Sequence, residues 1–184
     1  LLATTQLMKD AYAHGKYDYY HLLSGQDLPI KPLNEFKQFL INHNGKEFLE
    51  YFKLPSSNWD GNGGLDRMQL YWVYLMVGNN GNLFYRARFF LIKKLNRTIH
   101  YLQNRANYRR RCPENLYGGS TWFTITRNAV EYILDKISND ASILQSYKYS
   151  AVVDEIFFQT LLINSPLEKY VVNDNLRYIS WSGP

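Results

Sequence analysis

The chain has 184 residues, 46% of them hydrophobic, with a formal charge of +5 and one cysteine. That length and apolar content suit one globular domain over residues 1–184 with a core of its own. They exclude an internal disulfide framework and a multi-cysteine metal site, and no apolar run is long enough to cross a bilayer as a helix.

In chain order, Leu1 to Ala13 reads as a helix, and the aromatic run from Lys16 to Leu23 as a short buried strand. Ser24, Gly25, Gln26 and Asp27 form a turn-rich loop, and Pro29 and Pro32 bar a helix from continuing through it. Asn34 is placed to cap a helix carrying Phe36, Phe39 and Leu40 on one face, and Asn44-Gly45 stops it. Glu47 to Phe52 suits a strand, residues 55–64 a loop crowded with turn formers, and Gln69 to Val77 another strand. After the turn at residues 78–81 comes a long helix from Leu83 to Asn104, with Leu91, Leu95, Ile99 and Leu102 as its apolar stripe. A strand at Thr121 to Thr126, an amphipathic helix at Asn128 to Ser138 (Val130, Ile133, Leu134, Ile137), a helix at Asp154 to Ile163 and a strand at Leu176 to Trp181 complete the chain. Strands alternating with helices predict a layered α/β domain.

The positive charge is concentrated between Arg86 and Arg111. Such a stretch is a solvated helix face, or a surface for nucleic acid, anionic lipid or phosphorylated substrates. Aromatic residues reach 16%, including 16 tyrosines, a content suited to stacking against sugars or bases. Cys112 follows three arginines, whose charge favours a thiolate, but no partner constellation for a nucleophile accompanies it. Phosphate-binding glycine loops, a zinc-protease motif and the Asp-x-Asp that holds a metal on a nucleotide sugar are all missing from the sequence, and the four histidines have no metal-ligand spacing. Asp154-Glu155 is the most suggestive acidic pair, although acidic residues also belong in a helix's first turn for dipole reasons alone.

Four segments occur in a characteristic order: YDYYHLLSGQDLPI at Tyr17 to Ile30, YGGSTWF at Tyr117 to Phe123, DEIFFQTLL at Asp154 to Leu162, and NDNLRYISW at Asn173 to Trp181. Together they span nearly the whole chain and resemble the core-2/I-branching N-acetylglucosaminyltransferases, whose superfamily also contains the peptide O-xylosyltransferases. The resemblance implies a GT-A-like layered α/β/α glycosyltransferase domain. It implies an inverting transfer of N-acetylglucosamine or xylose from a UDP-sugar to a glycan hydroxyl, with no metal and no further cofactor. Its catalytic base falls on Glu155, with Asp154 beside it in a supporting or capping role. The Ser24, Gly25, Gln26 and Asp27 loop resembles an active-site loop in which Asp27 orients the substrate sugar, or is a plain turn. Glu50, Arg67 and Trp181 match acceptor contacts, and Trp122 the cleft edge or, equally, the core. The acceptor is expected to be a glycan or lipid-linked glycan, with no role for nucleic acid.

The family's domains open with a further strand-helix unit and continue into a basic segment that clamps the diphosphate, so this chain is expected to hold the acceptor side of a larger domain. The low cysteine count suggests a bacterial member, cytoplasmic and held by its basic helix at the inner, anionic face of the membrane. The alternative from another class is a noncatalytic carbohydrate-binding or scaffold relative that keeps only the acceptor cleft.

Overall fold

The computed structural model describes residues 1–73 and 83–179. Their order is α1 (Leu2–His14), β1 (Tyr19–His21), α2 (Leu33–Asn42), β2 (Glu47–Leu49), β3 (Phe52–Lys53), α3 (Asp60–Gly63), α4 (Asp66–Gln69), α5 (Leu83–Arg105), β4 (Tyr117–Gly118), β5 (Phe123–Thr126), α6 (Arg127–Asn139), α7 (Ala141–Tyr147), a 3-10 turn (Val153–Glu155), α8 (Phe157–Ile163), a second 3-10 turn (Glu168–Tyr170) and β6 (Val171–Val172). Two compact units share this chain: residues 1–53, 115–140 and 154–184 make one, and residues 54–114 and 141–153 the other.

The first unit is α/β, as expected. Its strands run in the order β1-β5-β2-β6, with β5 antiparallel to both neighbours and β6 parallel to β2. Three strands therefore point one way and β5 the other. All residues of β2 and β5 are buried, so the middle of the sheet is covered on both faces. Helix α6 packs on β5 and β1 through Ala129, Val130, Ile133 and Ile137, the stripe its periodicity predicts. Thr126 caps it by accepting the Ala129 N–H at 3.3 Å. Beneath α6, Phe157, Phe158 and Leu162 of α8 are fully enclosed, and each such side chain contributes about 2 kcal/mol by leaving water.

Several elements differ from expectation, each for a local reason. Helix α2 starts from Pro32, whose fixed φ of −55° pre-forms the turn, and Asn34 lies inside the first turn and makes no cap. The strand expected at Glu47 to Phe52 is split in two. At the break, the Asn173 side chain accepts the Tyr51 N–H at 2.8 Å and donates to the Tyr51 carbonyl at 2.9 Å, taking both groups a sheet neighbour would need. The strand expected at Leu176 to Trp181 is absent as far as Ile179, and residues 180 and 181 lie outside the described residues. Here the Asp174 carboxylate accepts the Leu176 N–H at 2.7 Å and the Asn175 side chain that of Arg177 at 2.9 Å. Those Asx turns set Leu176 at φ 54° and remove the N–H groups a ladder requires.

In the second unit, Gly61, Asn62, Gly63 and Gly64 all have positive φ, so the predicted loop coils tightly ahead of α4. The strand expected at Gln69 to Val77 does not form over its described part: Gln69 closes α4 and residues 70–73 are irregular. Residues 74–77 and the turn at 78–81 lie outside the described residues. Helix α5 falls where predicted, but its buried face is another one. Leu91 and Leu102 are 62% and 55% exposed. Asn96, His100 and Gln103 instead face the segment at residues 71–73. Asn96 exchanges two hydrogen bonds with Val73 (2.8 and 3.1 Å), Gln103 accepts the Tyr71 N–H at 2.9 Å, and the His100 ring meets the Tyr71 carbonyl at 3.0 Å. An irregular backbone needs partners for its N–H and C=O groups, and the amide face supplies them where an apolar face would not. Helix α7 follows α6 at once and has no counterpart among the sequence expectations.

Candidate functional site

Because β1, β2 and β6 run in one direction, their carboxyl ends meet the start of β5 at one edge of the sheet. Open α/β sheets bind ligands at such an edge. The register brings His21 opposite Thr124 and Leu49 opposite Phe123, and the Leu22 N–H reaches the Phe123 carbonyl at 3.1 Å. The edge thus collects the loop at residues 22–27, Glu50, the turn at residues 119–122 and the turns at residues 173–177. Chain distance hides this gathering.

Asp27 anchors the first of these. Its carboxylate accepts the Ser24 N–H and the Ser24 hydroxyl, each at 2.8 Å. The N–H and hydroxyl of Ser24, then the charge of Arg177 and a hydrogen bond from Trp122, hold the Asp27 carboxyl below the usual carboxylate range. It stays ionised near neutral pH. Trp122 is therefore at the edge, half-buried, in contact with the loop. Gly25 and Gln26 complete the turn, with the Gln26 N–H on the Ser24 hydroxyl at 3.3 Å.

Arg177, to which the sequence assigns no role, ties the edge together. Its guanidinium donates to the carbonyls of Leu22, Asn175 and Leu176 at 3.1 to 3.2 Å. Desolvation lowers its pKa and Asp27 raises it. His21 keeps solvent contact on one side, yet the surrounding protein and then the Arg177 charge bring its pKa to about 4. The imidazole is neutral at pH 7, with Nδ1 at 3.0 Å from the Thr124 hydroxyl. The sequence signal for Arg177 is its place in the fourth segment, two residues after an Asx-rich run, but an isolated arginine carries no role until the fold brings Asp27 within range of its charge.

Glu50 lies at the strand break, and its carboxylate accepts the Asn175 side-chain N–H at 3.1 Å. Its carbonyl is pressed against Gly119: a Cβ at that glycine would collide with the Glu50 carbonyl oxygen and stand 2.8 Å from its carbon. Only glycine allows this approach. The Gly119 N–H in turn donates to the Glu155 carbonyl at 2.9 Å. Glu155 closes a 3-10 turn two residues ahead of α8, so the helix expected from Asp154 begins at Phe157. Asp154 precedes it in that turn, and its carboxylate pairs with the Leu1 amino group. Ser120 fixes the remaining corner, its carbonyl accepting from Gln159 at 2.6 Å and its hydroxyl from the Trp122 N–H at 3.3 Å.

The fold therefore assembles Ser24, Gly25, Gln26, Asp27, Glu50, Trp122 and the Glu155 backbone within one unit. Arg67 belongs to the second unit, where its guanidinium lies 3.7 Å from the centre of the Trp59 ring. Trp181 lies outside the described residues. Among the described residues no three His, Cys, Asp or Glu side chains are grouped as a metal site, and no helix is long and apolar enough to cross a membrane. Burial pushes the Cys112 thiol up, against the thiolate expected from its arginine neighbours, because desolvation outweighs the nearby charge.

A profile of the Core-2/I-Branching enzymes matches residues 1–184. Among curated proteins, the chain is 29% identical over 171 residues to xylosyltransferase 2 of Canis lupus familiaris and 28% to that of Homo sapiens, covering 90% of this chain and 16% of each relative. Xylosyltransferase 1 of Pan troglodytes is 28% identical over 171 residues, covering 90% of this chain and 15% of its own length. The chain thus spans about one-sixth of these relatives. They are mammalian and lend no support to the bacterial origin suggested by the cysteine count.

Proposed function

The chain belongs to the Core-2/I-branching enzyme family, and on that premise we propose that it is part of an inverting glycosyltransferase using a UDP-sugar donor. The observation that carries the reading is the single sheet edge that gathers Asp27, Glu50, Trp122 and the backbone of Glu155, although they are up to 128 residues apart (155 − 27). The names of the relatives favour xylose over N-acetylglucosamine as the sugar moved.

In this proposal the Glu155 carboxylate takes the proton of an acceptor hydroxyl. The freed oxygen attacks the anomeric carbon of the donor sugar as the bond from that carbon to the phosphate oxygen breaks, and UDP leaves with the bonding pair. Asp27, held ionised by Ser24, orients donor hydroxyl groups, and Glu50 accepts from a hydroxyl of the acceptor. Trp122 offers a ring face at the edge. The GT-A-like layout and the metal-independent mechanism are both taken from the family resemblance.

The test is transfer by the full-length protein with UDP-xylose and UDP-N-acetylglucosamine, parent against Glu155→Gln. Loss of a general base lowers turnover by about 100- to 10,000-fold, with donor affinity kept within about threefold. Unchanged turnover in Glu155→Gln would remove Glu155 from the role. No transfer by the parent from either donor would overturn the reading as a whole.

A further inference from the structure

The second unit contains an open cavity of about 430 Å³ that has no part in the edge just described. It is lined by Tyr71, Tyr108, Gln145 and the consecutive Arg109, Arg110 and Arg111, and among the described residues no acidic one lines it. Its size falls within the range that accepts a small molecule.

Arg110 is the source of its electrostatics. The guanidinium donates to the carbonyls of Met68, Leu70, Ser146 and Lys148 and to the Ser150 hydroxyl, at 2.5 to 3.5 Å. All five acceptors are neutral, so the hydrogen bonds are satisfied while the full positive charge remains uncompensated. It also lies 4.9 Å from the centre of the Tyr71 ring, at the cavity wall. Arg109 and Arg111 on either side are exposed, and Arg109 spends one N–H on the Tyr108 carbonyl at 2.9 Å. The Tyr71 and Tyr108 rings are nearly parallel, 5° apart in plane with centres at 6.3 Å. The cavity thus joins two exposed guanidinium forks, a third cation held by five hydrogen bonds and two flat ring faces.

We propose that this cavity binds a tetrahedral oxyanion ester, a phosphate or sulfate monoester carried on a sugar ring. Arg109 and Arg111 contact the ester oxygens through their planar N–H pairs, which match that geometry. Arg110 supplies field without direct contact, and the tyrosine rings take the apolar face of the sugar. The assignment does not depend on glycosyl transfer, and its readout is binding.

The experiment titrates the protein with glucose 6-phosphate and glucose 6-sulfate, following heat or arginine side-chain N–H resonances. Saturable binding by the parent is expected, weakened at least about tenfold by R109Q/R111Q and changed less than about twofold by R97Q, an exposed cation of α5 outside the cavity. A phosphate ester gains its second charge near pH 6, so its binding should tighten between about pH 5 and about pH 7.5, whereas that of a sulfate ester should not. The tighter of the two at about pH 7.5 identifies the source of the oxyanion. Arg110 is kept because its bonds hold the unit together. Absence of saturable binding of either ester by the parent, equal affinity in R109Q/R111Q and the parent, or an equal loss in R97Q, would overturn the site.

Discussion

Replacing Gly119 with alanine adds one methyl group, and the structure says what that methyl meets. It collides with the Glu50 carbonyl oxygen and stands 2.8 Å from the Glu50 carbon and 3.2 Å from Gln159 Cγ. Two of these atoms are backbone, in a segment pinned on its far side by the Asn173 bonds to Tyr51, so they cannot swing away as a side-chain tip would. Gly119 does not have positive φ, so the cost is steric alone. Forcing a methyl into a packed site costs about 1–3 kcal/mol, and stretching the bond from Gly119 to the Glu155 carbonyl adds about 1. The sum is about 2–4 kcal/mol, which at about 2–4 °C per kcal/mol lowers Tm by roughly 4–16 °C. Thermal unfolding followed by circular dichroism measures it. Gly25→Ala is the control, since a Cβ there has no atom within 4 Å and its cost should stay below about 0.5 kcal/mol. A Gly119→Ala protein that melts within about 2 °C of the parent, or a Gly25→Ala protein that loses as much, would refute the close-approach argument.

Two further outcomes follow from buried or crowded titratable groups. Thr126 donates to the Glu47 carboxylate at 2.6 Å while capping α6, and Glu47 is only 1% exposed, so Thr126→Val should cost about 3 kcal/mol in urea unfolding at neutral pH. Burial already raises the Glu47 pKa above the ordinary value of 4.5. The ionised form needs the hydroxyl most, so the penalty should shrink near pH 4, and an equal loss at both pH values would contradict the network. For His21, whose pKa falls from 6.5 to about 4, the unfolded chain binds the proton first as pH drops. The stability this group contributes is complete above about pH 6.5 and is lost as pH falls toward about 4. Its imidazole resonances should titrate near pH 4, and a midpoint of 6 or above would show that neither the surroundings nor Arg177 act on it.

Much of the local structure was legible in the residue order. Helices α1, α5 and α6 lie within a residue or two of their predicted bounds, because periodicity and caps are local properties. The α/β class and the family were equally readable, the latter from four segments in order. Those segments also hold the residues that the fold gathers at the edge, except Glu50, which lies outside all four; Arg177 lies within the fourth without a role assigned to it.

What residue order could not show is where backbone hydrogen bonds are satisfied from a distance. Asn173 and Asp174 look like ordinary polar residues, yet their side chains end one strand and prevent another. The apolar stripe of α5 is stronger by periodicity than the Asn96-His100-Gln103 face, but the irregular segment at residues 71–73 requires the amides, and that requirement outranks periodicity. Arg110 is one arginine among many in a basic stretch until five neutral acceptors surround it. Helix periodicity acts between residues three or four apart and is written in the sequence itself. The influence of Arg177 on Asp27, and the close approach of Gly119 to Glu50, were decided only by the tertiary structure, because strand direction and register set which distant loops share an edge.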